Sequence, residues 1–411
     1  MIDMCKLMIA CFSESLHSMP KPHFTVAPSE RSLHGSLLLL ASVAGVAIAN
    51  IYYNQPLLDS FRQSFPQSGP WIGAIPTMTQ IGFAIGMLLL APLGDRIDRR
   101  RLILLQIVGI CVALLVAATA PTLPVLIGAS LAIGVLATMA QQAGPFAAEL
   151  APAAQRGHAI GTVYRGLLLG ILLARTGAGF VAEYFGWRAV FATSIIAMLI
   201  LAIVVATRLP HSKPTSSLSY SKLLGSPWHL AVEMRELREA AVIGAALFAS
   251  FSLFWSVLSL LLAGAPFHLG PQAAGLFGII GAVGAYLAPW AGKLADRRGS
   301  RTVISLAIGF MAVAFVVFGL SGASITGLVI GVIILDIGLQ MGQVSNQSRI
   351  FALKPEASSR LNTVYMMCYF IGGAAGSATG AVAWYKFGWI GVCIAGLLFS
   401  VLAGWNHMRG R

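Results

Sequence analysis

Leu93-Gly94-Asp95-Arg96-Ile97-Asp98-Arg99-Arg100-Arg101 and Gly292-Lys293-Leu294-Ala295-Asp296-Arg297-Arg298-Gly299-Ser300-Arg301 are two copies of one basic phrase in a chain of 411 residues. Their aspartates, Asp95 and Asp296, stand 201 residues apart (296 − 95). Each copy follows a long apolar run and precedes another, so each reads as a tight charged turn between two hydrophobic helices. A duplicated helical unit that keeps its charged turn is the plan of a two-halved membrane carrier.

The composition agrees with a lipid solvent. The chain is 57% hydrophobic and 10% charged, with mean hydropathy +0.81, far short of the polar surface a water-soluble protein of this length needs. Its net charge of +13 sits in the short connections between apolar runs rather than on a soluble basic face. That is the positive-inside pattern, and it argues against nucleic acid as a partner. The five cysteines (Cys5, Cys11, Cys111, Cys368, Cys393) are scattered without a disulfide framework or metal-ligand spacing. Met1 and Met19 are alternative starts, and the first apolar stretch is too short for a signal-peptide core.

Crossing the hydrocarbon core takes about 20 apolar residues. That ruler predicts twelve helices, near 35–57, 71–93, 102–120, 124–149, 159–183, 188–208, 240–265, 271–294, 302–321, 325–350, 360–384 and 388–406. The expected division is a cytoplasmic tail (1–34), a six-helix half (35–208), a cytoplasmic linker (209–239), a second six-helix half (240–406) and a cytoplasmic C-terminus (407–411). A short surface helix is expected in the linker around Trp228–Glu239. With both termini cytoplasmic, the outer side keeps only Arg62, Arg188 and Lys386, which fixes the orientation.

The repeat extends beyond the turn. Gly161-Thr162-Val163-Tyr164 matches Asn362-Thr363-Val364-Tyr365, and Tyr184-Phe185-Gly186-Trp187 matches Tyr385-Lys386-Phe387-Gly388-Trp389 with one residue inserted. The halves are therefore parallel repeats. With Ala91 and Pro92 added to the first copy, the two phrases resemble the loop signature of the major facilitator superfamily; the second copy is the closer match, and the first carries Ala91 and Asp98 where the family usually has glycine. The chain looks most like the bacterial branch of proton-linked drug and sugar exporters, and Asn50-Ile51-Tyr52-Tyr53-Asn54-Gln55-Pro56-Leu57-Leu58 resembles one subgroup of it. The resemblance implies an all-α integral membrane protein in the major facilitator fold, acting as a monomer in the bacterial inner membrane.

The charged turns have two readings. Arginines beside anionic headgroups anchor a loop and set topology. Alternatively, an aspartate at a helix terminus caps free N–H groups and pairs with arginine. The resemblance implies this second role, a cytoplasmic latch at Asp95, Arg96 and Arg99 and, in the second copy, at Asp296, Arg297 and Gly299. Asp98 adds a carboxylate that is expected to weaken or redirect the pairing.

Asp336 lies about eleven residues into the tenth helix, roughly 17 Å down at 1.5 Å per residue. A carboxylate near the bilayer middle costs several kcal/mol unless paired, neutralised or facing water, which suits it to proton coupling or substrate contact. The bland alternative is a structural aspartate with one partner. Gln340, Gln343 and Gln347 follow it at spacings of four, three and four, on one helix face. That face lines a cavity or a helix interface. In the family fold the first, fourth, seventh and tenth helices line the cavity, which adds Asn50, Asn54, Gln141, Gln142, Ser252, Trp255 and Ser256 as candidates. Arg175, in a glycine-rich fifth-helix stretch that lacks the family's proline, is expected to snorkel outward, to pair with Asp336, or to bind an anionic substrate. Arg165 is expected to snorkel. The fourth helix has no arginine where many proton-linked members place one, so coupling falls to Asp336 and Arg175.

The expected function is proton-coupled efflux of small organic molecules by alternating access, driven by the proton gradient without a cofactor. Uptake by symport or facilitation uses the same fold. A polytopic intramembrane enzyme is the remote alternative: the histidines lie in tails, loops or helix ends, and no catalytic pair or metal cluster stands out at membrane depth.

Overall fold

The two Phe-Gly-Trp elements mark the same break in the chain. Gly186 (φ 78°) separates helix α7 (Arg156–Phe185) from α8 (Trp187–Arg208), and Gly388 (φ 62°) breaks the final helical segment α14 (Ser358–Arg409). Both glycines sit in the left-handed region, where a side chain is strained. The tryptophan after each glycine pins the corner: Trp187 Nε1 donates to Ser64 Oγ at 2.9 Å, and Trp389 Nε1 donates to the Phe318 carbonyl at 2.9 Å.

The computed structural model describes residues 30–212, 220–354 and 357–409. The tail before residue 30, part of the linker, the last two residues and the Asp296 side chain lie outside the described residues. Residues 36–411 form one compact unit. Among the described residues every regular element is helical. In order they are α1 (Glu30–Tyr52), α2 (Leu58–Ser64), α3 (Ala74–Leu89), α4 (Arg99–Ala118), α5 (Leu123–Ala137), α6 (Ala140–Leu150), α7, α8, α9 (Tyr220–Glu233), α10 (Arg235–Ala263), α11 (Pro271–Arg298), α12 (Ser300–Ser321), α13 (Ile325–Leu353) and α14. Among the described residues ten segments are long and apolar enough to cross a membrane, and one of them is the 52-residue α14.

Starts and stops follow local chemistry. Asp98 caps α4 by accepting the Arg100 N–H, Ser324 caps α13 by accepting the Gly327 N–H, and prolines open α5 and α11. The linker helix begins at Tyr220, eight residues earlier than the sequence suggested, and ends before α10 starts at Arg235. Apolar side chains at helical spacing are left outward, as at Leu169 and Leu173 on α7 or Ile196, Ile200 and Ile203 on α8. These are the faces that lipid solvates.

The packing repeats: α3 lies on α5 and α4 on α8 in the first repeat, as α11 lies on α13 and α12 on α14 in the second. Contacts between the two repeats concentrate on α3 with α14 and on α7 with α11. Those pairs carry a seal. Gln80 Nε2 of α3 donates to Ser377 Oγ of α14 at 2.8 Å; α10 supports this contact, Ser252 donating to Gln80 Oε1 at 3.3 Å and Ser256 to Ser377 at 2.8 Å. On the second pair Thr176 donates to the Gly275 carbonyl at 3.1 Å, and Glu183 accepts the Gln272 N–H at 3.3 Å, in the first turn of α11.

Candidate functional site

α3 runs toward Asp95 and α7 runs away from Arg156, so the charged turns lie at one end of the bundle, and Glu183 and Gln272 at the other. A cavity of about 770 Å³ extends between the repeats from the charged end inward. Asp95, Arg99, Ser358 and Arg360 flank its mouth, and Arg175 and Asp336 stand at its inner end. The wall between them is mainly apolar and aromatic, with Tyr52, Leu168, Phe248, Phe251 and Tyr369 among its members.

Asp336, Gln340, Gln343 and Gln347 all face this space. Gln343 Oε1 accepts from Tyr369 Oη at 3.3 Å and Gln347 donates to Asn362 at 3.3 Å, while Gln340 Oε1 and Asp336 Oδ2 are buried without a partner. Asp336 is only 6% exposed. Gln141 and Gln142 are also on the wall, and Gln142 donates to the carbonyls of Leu90 and Ala91, which braces the turn beneath Asp95.

Asn50, Asn54, Ser252, Trp255 and Ser256 are not on the described wall in this conformation, which corrects the expectation that they line it. Each serves a helix contact instead. Asn50 Oδ1 accepts from Ser194 at 2.7 Å and Asn54 donates to Thr79 at 3.0 Å, tying α1 and the turn after it to α8 and α3. Ser252 and Ser256 belong to the seal, where buried hydroxyls find partners in other helices. Trp255 lies behind the wall, under Arg175.

Arg175 is 3% exposed, so it does not snorkel. Its guanidinium carbon lies 4.0 Å from the Trp255 ring centroid, 4.8 Å from Tyr52 and 5.4 Å from Phe251. Nε donates to Gln55 Oε1 at 2.7 Å, and Nη2 is buried without a partner. Asp336 is near enough to act on Arg175 through its charge, yet the two form no ion pair. The π faces and one neutral amide thus hold the cation without neutralising it. Tyr52, Gln55 and Phe251 escaped notice in the sequence as parts of one site, because an aromatic at helical spacing signals packing.

Glycines on α11 make room for both charges. A Cβ at Gly275 would meet the Arg175 carbonyl at 2.7 Å, one at Gly278 the Arg175 Cβ at 3.0 Å, and one at Gly281 Asp336 Oδ1 at 3.2 Å. Their spacing of three, on a helix between α7 and α13, is the signal that could have linked the two charges.

At the mouth Arg99, 6% exposed, joins Asp95 and Glu149, each at 2.8 Å. Arg96 and Arg297 are exposed, and Gly299 (φ 82°) ends α11. Asp98 is redirected away from this group. Its carboxylate accepts the N–H groups of Arg100 and Ser212 at 3.0 Å and contacts the His211 ring, stapling the start of the linker to α4. Burial pushes the Asp98 carboxyl up, but the two N–H groups and the His211 ring outweigh it and hold it below the usual carboxylate range. Arg165 is exposed and donates to Thr162 at 3.0 Å. A second ionic group, not anticipated from the sequence, places Glu239 between Arg301 (3.0 Å) and Arg349 (2.8 Å).

Comparison with known proteins matches residues 36–377 to the Major Facilitator Superfamily. Uncharacterized transporter YgaY of Escherichia coli O157:H7 is 38% identical over 94% of this chain and 98% of its own length. Multidrug efflux pump LfrA of Mycolicibacterium smegmatis is 26% identical over 83% of this chain and 79% of its own. Among solved structures, the nucleoside transporter NupG (D323A mutant) superposes with TM-score 0.74 at 13% identity, over 91% of this chain and 98% of NupG.

Proposed function

We propose that this chain, which belongs to the Major Facilitator Superfamily, is a proton-coupled exporter of small organic molecules working by alternating access. Membership makes it a multi-pass transporter of a small-molecule substrate. We read the helices as twelve crossings, with α14 supplying two, and the charged end as cytoplasmic under the positive-inside rule. The cavity is then inward-open, and the seal of α3 on α14 and α7 on α11 is what the other state must break.

Asp336 carries this reading. It is a buried carboxylate at the inner end of a cavity that reaches the charged mouth, with one oxygen unpartnered. Such a group is costly unless a proton or a cation neutralises it. In the cycle a proton entering from outside loads Asp336, the repeats rock, and the proton leaves to the cytoplasm as substrate binds. Arg175, held on α7 against α11, senses the same charge from the opposite repeat. The 26% identity to a multidrug efflux pump supports export over uptake.

A strain overexpressing the chain, challenged with a panel of toxic compounds, tests the direction. Raised tolerance that disappears in Asp336→Asn is the expected result. Raised sensitivity would identify uptake, and tolerance undiminished in Asp336→Asn would remove Asp336 from coupling.

A further inference from the structure

Three polar atoms at the inner end of the cavity are buried and have no partner: Arg175 Nη2, Asp336 Oδ2 and Gln340 Oε1. All three residues face the cavity. One atom is a donor on a cation, and two are acceptors, one of them on a carboxylate. Leaving such atoms unmatched is costly, most of all where the group is charged. Nothing in the protein relieves them, although a carboxylate and a guanidinium are close enough to feel one another. We infer that this apex is a recognition site for an apolar zwitterion, its carboxylate on Arg175 and its ammonium shared by Asp336 and Gln340.

The chemistry of each contact supports that division. Arg175 is enclosed by Tyr52, Phe251 and Trp255 and tied through Nε to Gln55, so its orientation is fixed and Nη2 is a buried donor without a partner. A cation kept charged by ring faces and a neutral amide has its carboxylate site open. Asp336 and Gln340 are four residues apart on α13, hence neighbours on one face. A single ammonium, with three N–H donors, answers both acceptors. A simple anion would satisfy Arg175 but set its charge against Asp336. A simple cation would satisfy Asp336 and leave Arg175 unmatched. Leu168, Leu172, Phe248 and Tyr369 offer the apolar body its surface, and about 770 Å³ leaves room for one much larger than an amino-acid side chain.

This inference deepens the transport reading and rests on it, for the ammonium then displaces the proton from Asp336. Its test is equilibrium binding to the purified full chain in detergent, where no gradient exists, so it stands apart from the coupling test. Three probes share one skeleton: L-phenylalanine, 2-phenylethylamine and 3-phenylpropionate. L-Phenylalanine is expected to bind about tenfold more tightly than either singly charged probe, the equivalent of about 1.4 kcal/mol for the second charged contact. Arg175→Gln should erase the preference over the amine, and Asp336→Asn the preference over the acid. Gln340→Leu, a milder change on a partly exposed residue, should weaken the two amine-bearing probes alone. Equal binding of amine and zwitterion, a carboxylate preference that survives Arg175→Gln, or no binding of any probe would overturn the assignment. Failure here with Asp336-dependent transport intact would refute the substrate class and leave the exporter reading standing.

Discussion

Between α3 and α4 the charged turn is closed by a side chain: Asp98 (φ −55°) caps α4 and holds Ser212 and His211 of the linker. Between α11 and α12, at the equivalent place 201 residues later, Gly299 (φ 82°) closes the turn with backbone alone. Close by, the ionic groups invert. Arg99 stands between two carboxylates in the first repeat, and Glu239 stands between two arginines in the second. The cavity's inner end shows the same division. Arg175 of the first repeat corresponds to Gly376 in the second, and Asp336 of the second to Val135 in the first, at the offset of 201. The repeat thus preserves helix positions while assigning opposite charges to its halves. Under the proposed alternating-access cycle, complementary charges on the two halves let each state be stabilised by different pairings.

Removing the central ion of each group should break the comparison most strongly. Glu239 is 7% exposed, and its Arg349 partner's side chain only 15%. Glu239→Gln leaves that guanidinium buried without its carboxylate, a loss of about 3 kcal/mol, visible as a lower melting temperature of the purified protein. Arg99→Gln removes one partner each from Asp95 and Glu149 instead, whose side chains are 42% and 27% exposed and which water can solvate. Its effect should be clearly smaller. Equal losses would mean that burial does not distinguish the two groups.

Exchanging the turn residues is the next sharpest probe. Asp98→Gly removes a helix cap and the linker staple together, for about 1–2 kcal/mol. The same contacts give a pH signature. The Asp98 carboxyl is lower in the folded state than in the unfolded chain, so its contribution is present above the unfolded value and lost as pH falls through the folded one. Protease cleavage near residue 212 should therefore stay constant down to about pH 4 and rise below it, with Asp98→Gly cleaved readily at every pH. Cleavage that is insensitive to the substitution would show that the staple does not hold the linker.

Glu183 offers the smallest effect. It touches the first turn of α11 at the end opposite the charged turns, where a carboxylate is worth about 0.3–1 kcal/mol. Glu183→Gln should raise labelling of cysteines placed in the cavity, by reagent reaching them from the end opposite the charged turns, by a few-fold at most. Unchanged labelling would assign that residue no part in the seal.

The bundle was largely legible because its signals are local. The apolar runs, the repeated turn and the Phe-Gly-Trp corners each report on a few consecutive residues. The face shared by Asp336 and the glutamines is likewise a matter of spacing along one helix. The surroundings of Arg175 were not legible in that way. Gln55 and Arg175 are 120 residues apart, and nothing local in either segment announces the other. Ser252 and Ser256 were misplaced for a related reason: a polar residue on a membrane helix reports an interior position, and sequence alone does not separate a cavity wall from a seal. Glu239 was passed over because an acid near a helix start usually faces solvent, whereas here α12 and α13 bring arginines to it.

The central claim is that Asp336 exchanges its proton for substrate. Proton leakage from energised everted membrane vesicles tests it directly, with a compound picked out by the tolerance panel added to the outside. Wild-type vesicles should lose their proton gradient on addition, while Asp336→Asn vesicles, expressing the protein at the same level, should hold theirs. A gradient that collapses equally in both, or substrate accumulation in Asp336→Asn that needs no gradient, would contradict the account.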